Sequence, residues 1–281
     1  MRKTENSIVD GVIWKQLLLF FFPILIGTFF QQLYNTVDTV VVGQYVGKQA
    51  LAAVGTTGTV INLLVGFFVG VSSGATVIVS QFFGANDREN ISKSVHTSMA
   101  LAIVGGVIVM VLGFVSARPV LVAMSVPAEI LDDALLYMNV YYAGIIANMI
   151  YNVGTGILRA IGDSRMPLYV LIVCCLANVV LDLLFVVVFH WAVFGVALAT
   201  IIGQACSWIF GIFYINRKYN FLHIRLFQIR VDRKLLGQII RLGVPSAIQQ
   251  CQFSVAILIM QALINGFGND FAAGFTAANK I

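Results

Sequence analysis

Long apolar runs separated by short polar connections set the pattern of this chain. A bilayer core of ~30 Å needs about 20 apolar residues per helix. Seven stretches meet that length: 14–42, 51–82, 95–116, 135–158, 167–189, 194–214 and 242–266. The pattern predicts an all-α, polytopic transmembrane helix bundle, with six helices in a first lobe and a seventh span beginning a second. The first two runs exceed the bilayer thickness, so they must tilt, bend or protrude. Pro23 lies inside the first run, where it removes a backbone hydrogen bond and crowds the preceding turn. It is a candidate hinge, although membrane helices also carry prolines without a mechanical role.

Composition agrees with the pattern. The chain is 59% hydrophobic and 10% charged, against about 45–50% and about 25% in a soluble domain. The net charge of +5 does not point to nucleic acid, because Lys and Arg fall between the apolar runs. Fourteen basic residues (Arg2, Lys3, Lys15, Arg88, Lys93, Arg159, Arg165, Arg217, Lys218, Arg225, Arg230, Arg233, Lys234 and Arg241) fall on one side of a seven-span topology, and three (Lys48, Arg118 and Lys280) on the other. Basic residues accumulate on the cytoplasmic side of membrane proteins. The expected location is therefore the plasma or inner membrane, with the N-terminus in the cytoplasm. The first run is longer than a signal-peptide core and no small-residue cleavage pattern follows it, so it reads as a retained span.

Residues 216–241 form the longest polar connection, with seven basic residues and only Asp232 as acid. Apolar residues are interleaved with the charges, which suggests an amphipathic segment on the cytoplasmic membrane surface. The expected division is a six-helix lobe over 1–215, this linker over 216–241, and the start of a second lobe over 242–281. A weak internal repeat favours that division. Pro23 precedes the segment 51–57 by 28 residues, and Pro245 precedes the similar segment 271–277 by 26. The sequence is expected to be one lobe plus the start of another, with the remaining C-terminal lobe as its partner.

Asp38 and Asp182 are the only acids inside the apolar runs. Intramembrane carboxylates are costly and mark ion or substrate pathways by default. Gln31, Tyr34 and Asp38 are spaced by three and four, so they share a helix face. That face should look into the bundle or a watery cavity, although Gln31 and Tyr34 also suit interhelical hydrogen bonding. Asn178 and Asp182 are one turn apart on another span. Asp182 stands about 15 residues, or roughly 22 Å, beyond Pro167 at helical rise, and Asp38 is similarly deep. Thr200 enters the next span at a compatible depth. Asp38, Asn178, Asp182 and Thr200 therefore form the candidate ion site. Their oxygens suit a hard cation such as Na⁺; two carboxyls in one dry site suit a shared proton equally well. Asn148 and Asn152 share a face of the fourth span and are either cavity residues or helix glue.

Elsewhere the chemistry is plain. The four cysteines lie inside apolar runs and read as small buried hydrophobes. His96, His190 and His223 lie near span ends or in loops, with no metal-binding spacing. Gly66, Gly70, Gly105 and Gly106 are expected to permit close helix contact. No cofactor and no nucleic-acid partner are expected beyond a coupling ion. An intramembrane enzyme would need a nucleophile or metal cluster at depth, which the sequence lacks.

Three patterns resemble the multidrug and toxic compound extrusion (MATE) transporters. They are Pro23 with the Gln31, Tyr34 and Asp38 face, running on through Gly43 to Leu51–Gly55; the segment from Gly154 to Asp163 with Pro167 beyond it; and Asn178-x-x-x-Asp182 with Thr200 downstream. The resemblance implies twelve helices in two lobes, and export of cationic or amphipathic compounds against Na⁺ or H⁺ entry. It implies a cation or proton site at Asp38, Asn178, Asp182 and Thr200, with Asn152 nearby. It also implies that the first helix bends at Pro23 as the site changes state. The sequence stops in the eighth-span region, so second-lobe residues are absent. A lipid-linked oligosaccharide flippase is the alternative within transport. Such cavities carry several basic residues, and none lies mid-span here. A seven-span receptor conflicts with the cytoplasmic N-terminus and the repeat.

Overall fold

The computed structural model describes residues 12–124, 126, 128–219 and 231–265, and these are helical apart from short connections. Eight helices follow one another: α1 (Ile13–Val41), α2 (Lys48–Gly84), α3 (Arg88–Ala123), α4 (Ala128–Ala143), α5 (Ile145–Ala160), α6 (Arg165–Leu183), α7 (Ala192–Lys218) and α8 (Arg233–Asn265). Among the described residues five helices are long and apolar enough to cross a membrane, or six when α4 and α5 count as one span bent by 53°. The fourth apolar run is thus two helices, broken at Gly144. Helix α8 corresponds to the seventh run but starts earlier, at Arg233. The repeat segment 271–277 and His223 lie outside the described residues.

Local signals set the boundaries. Asp87 caps α3 by accepting from the Asn90 backbone N–H at 3.1 Å, as a short acidic side chain does at a helix start. Gly47, at φ 114°, separates α1 from α2 in a conformation that favours glycine. Single π-helical turns, 42–46 and 184–188, follow α1 and α6. Such turns often mark functional sites, and here each lies a few residues beyond one of the two intramembrane carboxyls. The basic residues Lys15, Arg88, Arg159, Arg165, Arg217, Lys218 and Arg233 sit at the starts of α1, α3, α6 and α8 and at the ends of α5 and α7. Alternating crossings therefore bring them to one end of the bundle.

The core lies among α2 to α5 and α7, around Met99, Met138, Tyr142, Ile145, Met149 and Ile157. Small residues set the closest crossings. A Cβ on Gly106 would lie 3.0 Å from the Ile146 Cα, and one on Gly105 would lie 2.8 Å from the Phe68 ring. Gly70 faces the backbone of Ala247, and Gly74 faces Ile239 and Gly243, so α2 and α8 cross backbone to backbone. Helix α1 lies at the edge against α6, and Leu17, Phe21, Phe22, Leu25 and Phe29 point outward. All four cysteines are free. Cys175 is buried, Cys174 and Cys251 are half-buried, and Cys206 is exposed, contrary to the expectation that all would be buried.

Candidate ion site between three helices

Helix α6 packs against both α1 and α7, and the predicted quartet meets there. Asp182, Asn178 and Thr200 are buried and Asp38 is half-buried. The hinge of the arrangement is the Asn178 amide. The Thr200 backbone N–H, a donor that cannot change its role, lies 3.2 Å from one amide atom, which must be the oxygen. The amide nitrogen then donates to Asp38 Oδ1 at 3.2 Å and to Asp182 Oδ2 at 2.9 Å. Asp38 also lies within hydrogen-bonding reach of Asp182 itself and of the Tyr34 hydroxyl. That hydroxyl is 3.3 Å from Thr200 Oγ1, and Thr200 Oγ1 donates to the Val196 carbonyl at 3.0 Å. Asp182 Oδ1 is buried and no donor among the described residues reaches it. Leaving such an acceptor bare costs about 1–3 kcal/mol, more for a charge.

Asn152 and Gln31 do not join the carboxyls. They line a separate polar cavity of about 120 Å³ between α1, α5 and α6, together with Pro23 and Arg159. Asn152 Nδ2 donates to Asn148 Oδ1 at 2.8 Å, and Asn148 Nδ2 donates to the Tyr141 hydroxyl at 3.2 Å. Asn148 and Asn152 thus share one face, which meets Tyr141 and this cavity. Conversely, Tyr137 on α4 was not singled out. It lies within electrostatic range of both carboxyls and stacks on Tyr141, with ring centroids 6.3 Å apart. Its only sequence signal is the four-residue spacing of two tyrosines on an apolar helix. No group of three or more His, Cys, Asp or Glu able to hold a metal occurs among the described residues. Any cation here would be bound by two carboxyls and neutral oxygens.

A bundle of long apolar helices that encloses a carboxyl pair defines a polytopic membrane protein of the transporter type. Residues 23–184 match the MatE family model, and the chain belongs to that family. It is 26% identical over 277 residues to "Probable multidrug resistance protein YoeA" of Bacillus subtilis (strain 168), covering 96% of this chain and 60% of that protein. It is 21% identical over 263 residues to the "Multidrug export protein MepA" of Staphylococcus saprophyticus, covering 94% and 58%. A solved outward-facing multidrug resistance MATE family transporter of the MOP superfamily superposes with a TM-score of 0.89 at 26% identity, covering 99% of this chain and 62% of that one. The chain thus spans about 60% of the length of these relatives.

Proposed function

We propose that the intact protein is an antiporter that exports cationic or amphipathic compounds by alternating access, driven by protons entering at Asp38 and Asp182. It works as a carrier and not as an enzyme, in the cell membrane, with the basic ends of its helices and its N-terminus in the cytoplasm. The observation that carries the ion assignment is the bare Asp182 Oδ1 beside a second carboxyl. A proton held between the two acids supplies the missing donor and removes one of two charges that repel in a dry site. A sodium ion fits this geometry less well. The Asn178 oxygen is turned to Thr200 and offers the ion nothing, while the amide nitrogen occupies the space between the carboxyls. The names of the relatives support multidrug export, and the basic helix ends support the orientation.

Protonation changes what Asn178 and Tyr34 can bond to, and so changes how α1 packs on α6. A substrate cation that favours the deprotonated packing and a proton that favours the other would exchange without meeting. Pro23 supplies a place for α1 to bend. The test is efflux from vesicles of the intact protein with the pH and sodium gradients imposed separately. Proton-driven efflux abolished by Asp38→Asn and by Asp182→Asn, with normal membrane insertion, is the expected result. Undiminished transport by both variants, or a strict need for sodium, would overturn it.

A further inference from the structure

The cavity between α1, α5 and α6 plays no part in the carboxyl site, and its chemistry is opposite. No acid lines it. Arg159, in the last turn of α5, is exposed in the lining and has no carboxylate partner among the described residues. The nearest acid in sequence, Asp163, is turned away. Its carboxylate accepts from Lys218 Nζ at 2.8 Å, the Tyr219 hydroxyl at 3.0 Å, the Tyr214 hydroxyl at 3.3 Å and the Met166 backbone N–H at 3.2 Å. Ser164 lines the same cavity and is only 5% exposed, yet its hydroxyl has no hydrogen-bond partner among the described residues. The Tyr151 hydroxyl and the Gln31 amide, also in the lining, are equally free among those residues.

Of these residues Ser164 is buried, Tyr151 half-buried, and Gln31 and Arg159 exposed; together they line one cavity with unpaired donors beside a guanidinium, whose fork matches the oxygens of phosphate or carboxylate. A volume of about 120 Å³ is well above the roughly 10–15 Å³ that one water needs by this measure, and is enough for one tetrahedral oxyanion. Arg159, Ser164 and Pro167 put part of the lining at the basic ends of α5 and α6, where basic pockets between membrane helices bind phospholipid head groups.

We infer that Arg159, Ser164, Tyr151 and Gln31 form an oxyanion site, taking a phosphate group carried on a lipid head or free in solution. It is separate from the carboxyl pair and stands whether or not those acids carry an ion. The occupant lies against Pro23 and Gly27 of α1, so it fills the gap beneath the proline.

The intact protein, placed in phosphatidylcholine nanodiscs, is compared with and without phosphatidylglycerol, and with inorganic phosphate added. Thermal unfolding and native mass spectrometry are the readouts. The site predicts a raised unfolding midpoint and a retained phosphatidylglycerol, or the same shift from phosphate alone if the source is soluble. Arg159→Gln and Ser164→Ala should each weaken binding about tenfold, the loss of roughly one charge-assisted or buried hydrogen bond. Arg159→Lys should weaken it less, and Arg217→Gln, at the same end of the bundle but outside the cavity, should leave it unchanged. Absence of any shift with either probe overturns the site. So does an equal loss from Arg159→Gln and Arg217→Gln, which would mean diffuse attraction to the basic surface.

Discussion

Thr200 decides which way Asn178 faces: its backbone N–H takes the amide oxygen at 3.2 Å and turns the amide nitrogen onto the two carboxyls. Asn178→Asp tests the consequence. One oxygen of the new side chain still faces Thr200, but the other meets Asp38 and Asp182 with no hydrogen to give. An unmatched buried acceptor costs about 1–3 kcal/mol, so proton-driven efflux should fall about tenfold or more. Three clustered carboxylates also make a better cation site, so sodium should restore part of the loss. Efflux equal to that of the unmodified protein, with no response to sodium, would remove Asn178 from the mechanism.

The crossing of α2 and α8 gives a prediction about stability. A Cβ on Gly74 would run into the backbone at Ile239 and would lie 2.7 Å from the Gly243 nitrogen. Backbone cannot step aside as a side-chain tip can, and overpacking costs about 1–3 kcal/mol. Gly74→Ala and Gly243→Ala should therefore lower the thermal midpoint. Gly55 has nothing within 4 Å of its would-be Cβ, and Gly55→Ala should be neutral or gain up to about 1 kcal/mol from helix propensity. Equal behaviour of all three variants in thermal unfolding would contradict the close crossing.

The same region shows where sequence reading works and where it stops. Leu235 and Ile239 are buried against Ala75 and Ile78 of α2, although Arg233, Lys234 and Arg241 surround them. The four-residue spacing of those apolar residues marks a helix. The charges beside them suggest a membrane surface, and the sequence alone does not name the helix they pack on. Asp38 and Asp182 were legible because a lone acid in an apolar run has few innocent explanations. Depth allowed the two to meet but did not require it. The direction of the Asn178 amide was not legible, because a backbone group on a third helix sets it. Asn148 and Asn152 share a face, as their spacing requires, but which cavity that face meets is not legible, since helix periodicity gives a direction and not a neighbour.

Asp163 ties the α5–α6 connection to the end of α7, and its contribution depends on pH. Burial pushes its pKa up, but the hydrogen bonds from Lys218, Met166 and Tyr219 outweigh it and hold the carboxyl below its ordinary value. A carboxyl lowered in the folded state stabilises fully above its unfolded pKa of about 3.9 and loses that contribution as pH falls through the folded value. Asp163→Asn should lower the thermal midpoint at pH 7. The gap between variant and parent should close as pH drops below about 4. A gap that persists unchanged in acid would assign the effect to packing and not to charge.

Gly144 breaks the fourth span into α4 and α5, and Ile201 of α7 fills the space beside it. A Cβ on Gly144 would overlap the Ile201 side chain. Gly144→Ala alone should destabilise the protein by about 1–3 kcal/mol through overpacking. Ile201 is half-buried, so Ile201→Ala alone should cost about 1–3 kcal/mol, less than a fully buried isoleucine. In the double variant the new methyl group occupies part of the space that the isoleucine leaves. The combined loss should then be smaller than the sum of the two by about 0.5–3 kcal/mol, the coupling expected of residues in contact. Chemical unfolding of the four proteins in one detergent measures the cycle. Strict additivity would mean that α7 does not hold the bend at Gly144, and that the 53° angle is set by α4 and α5 alone.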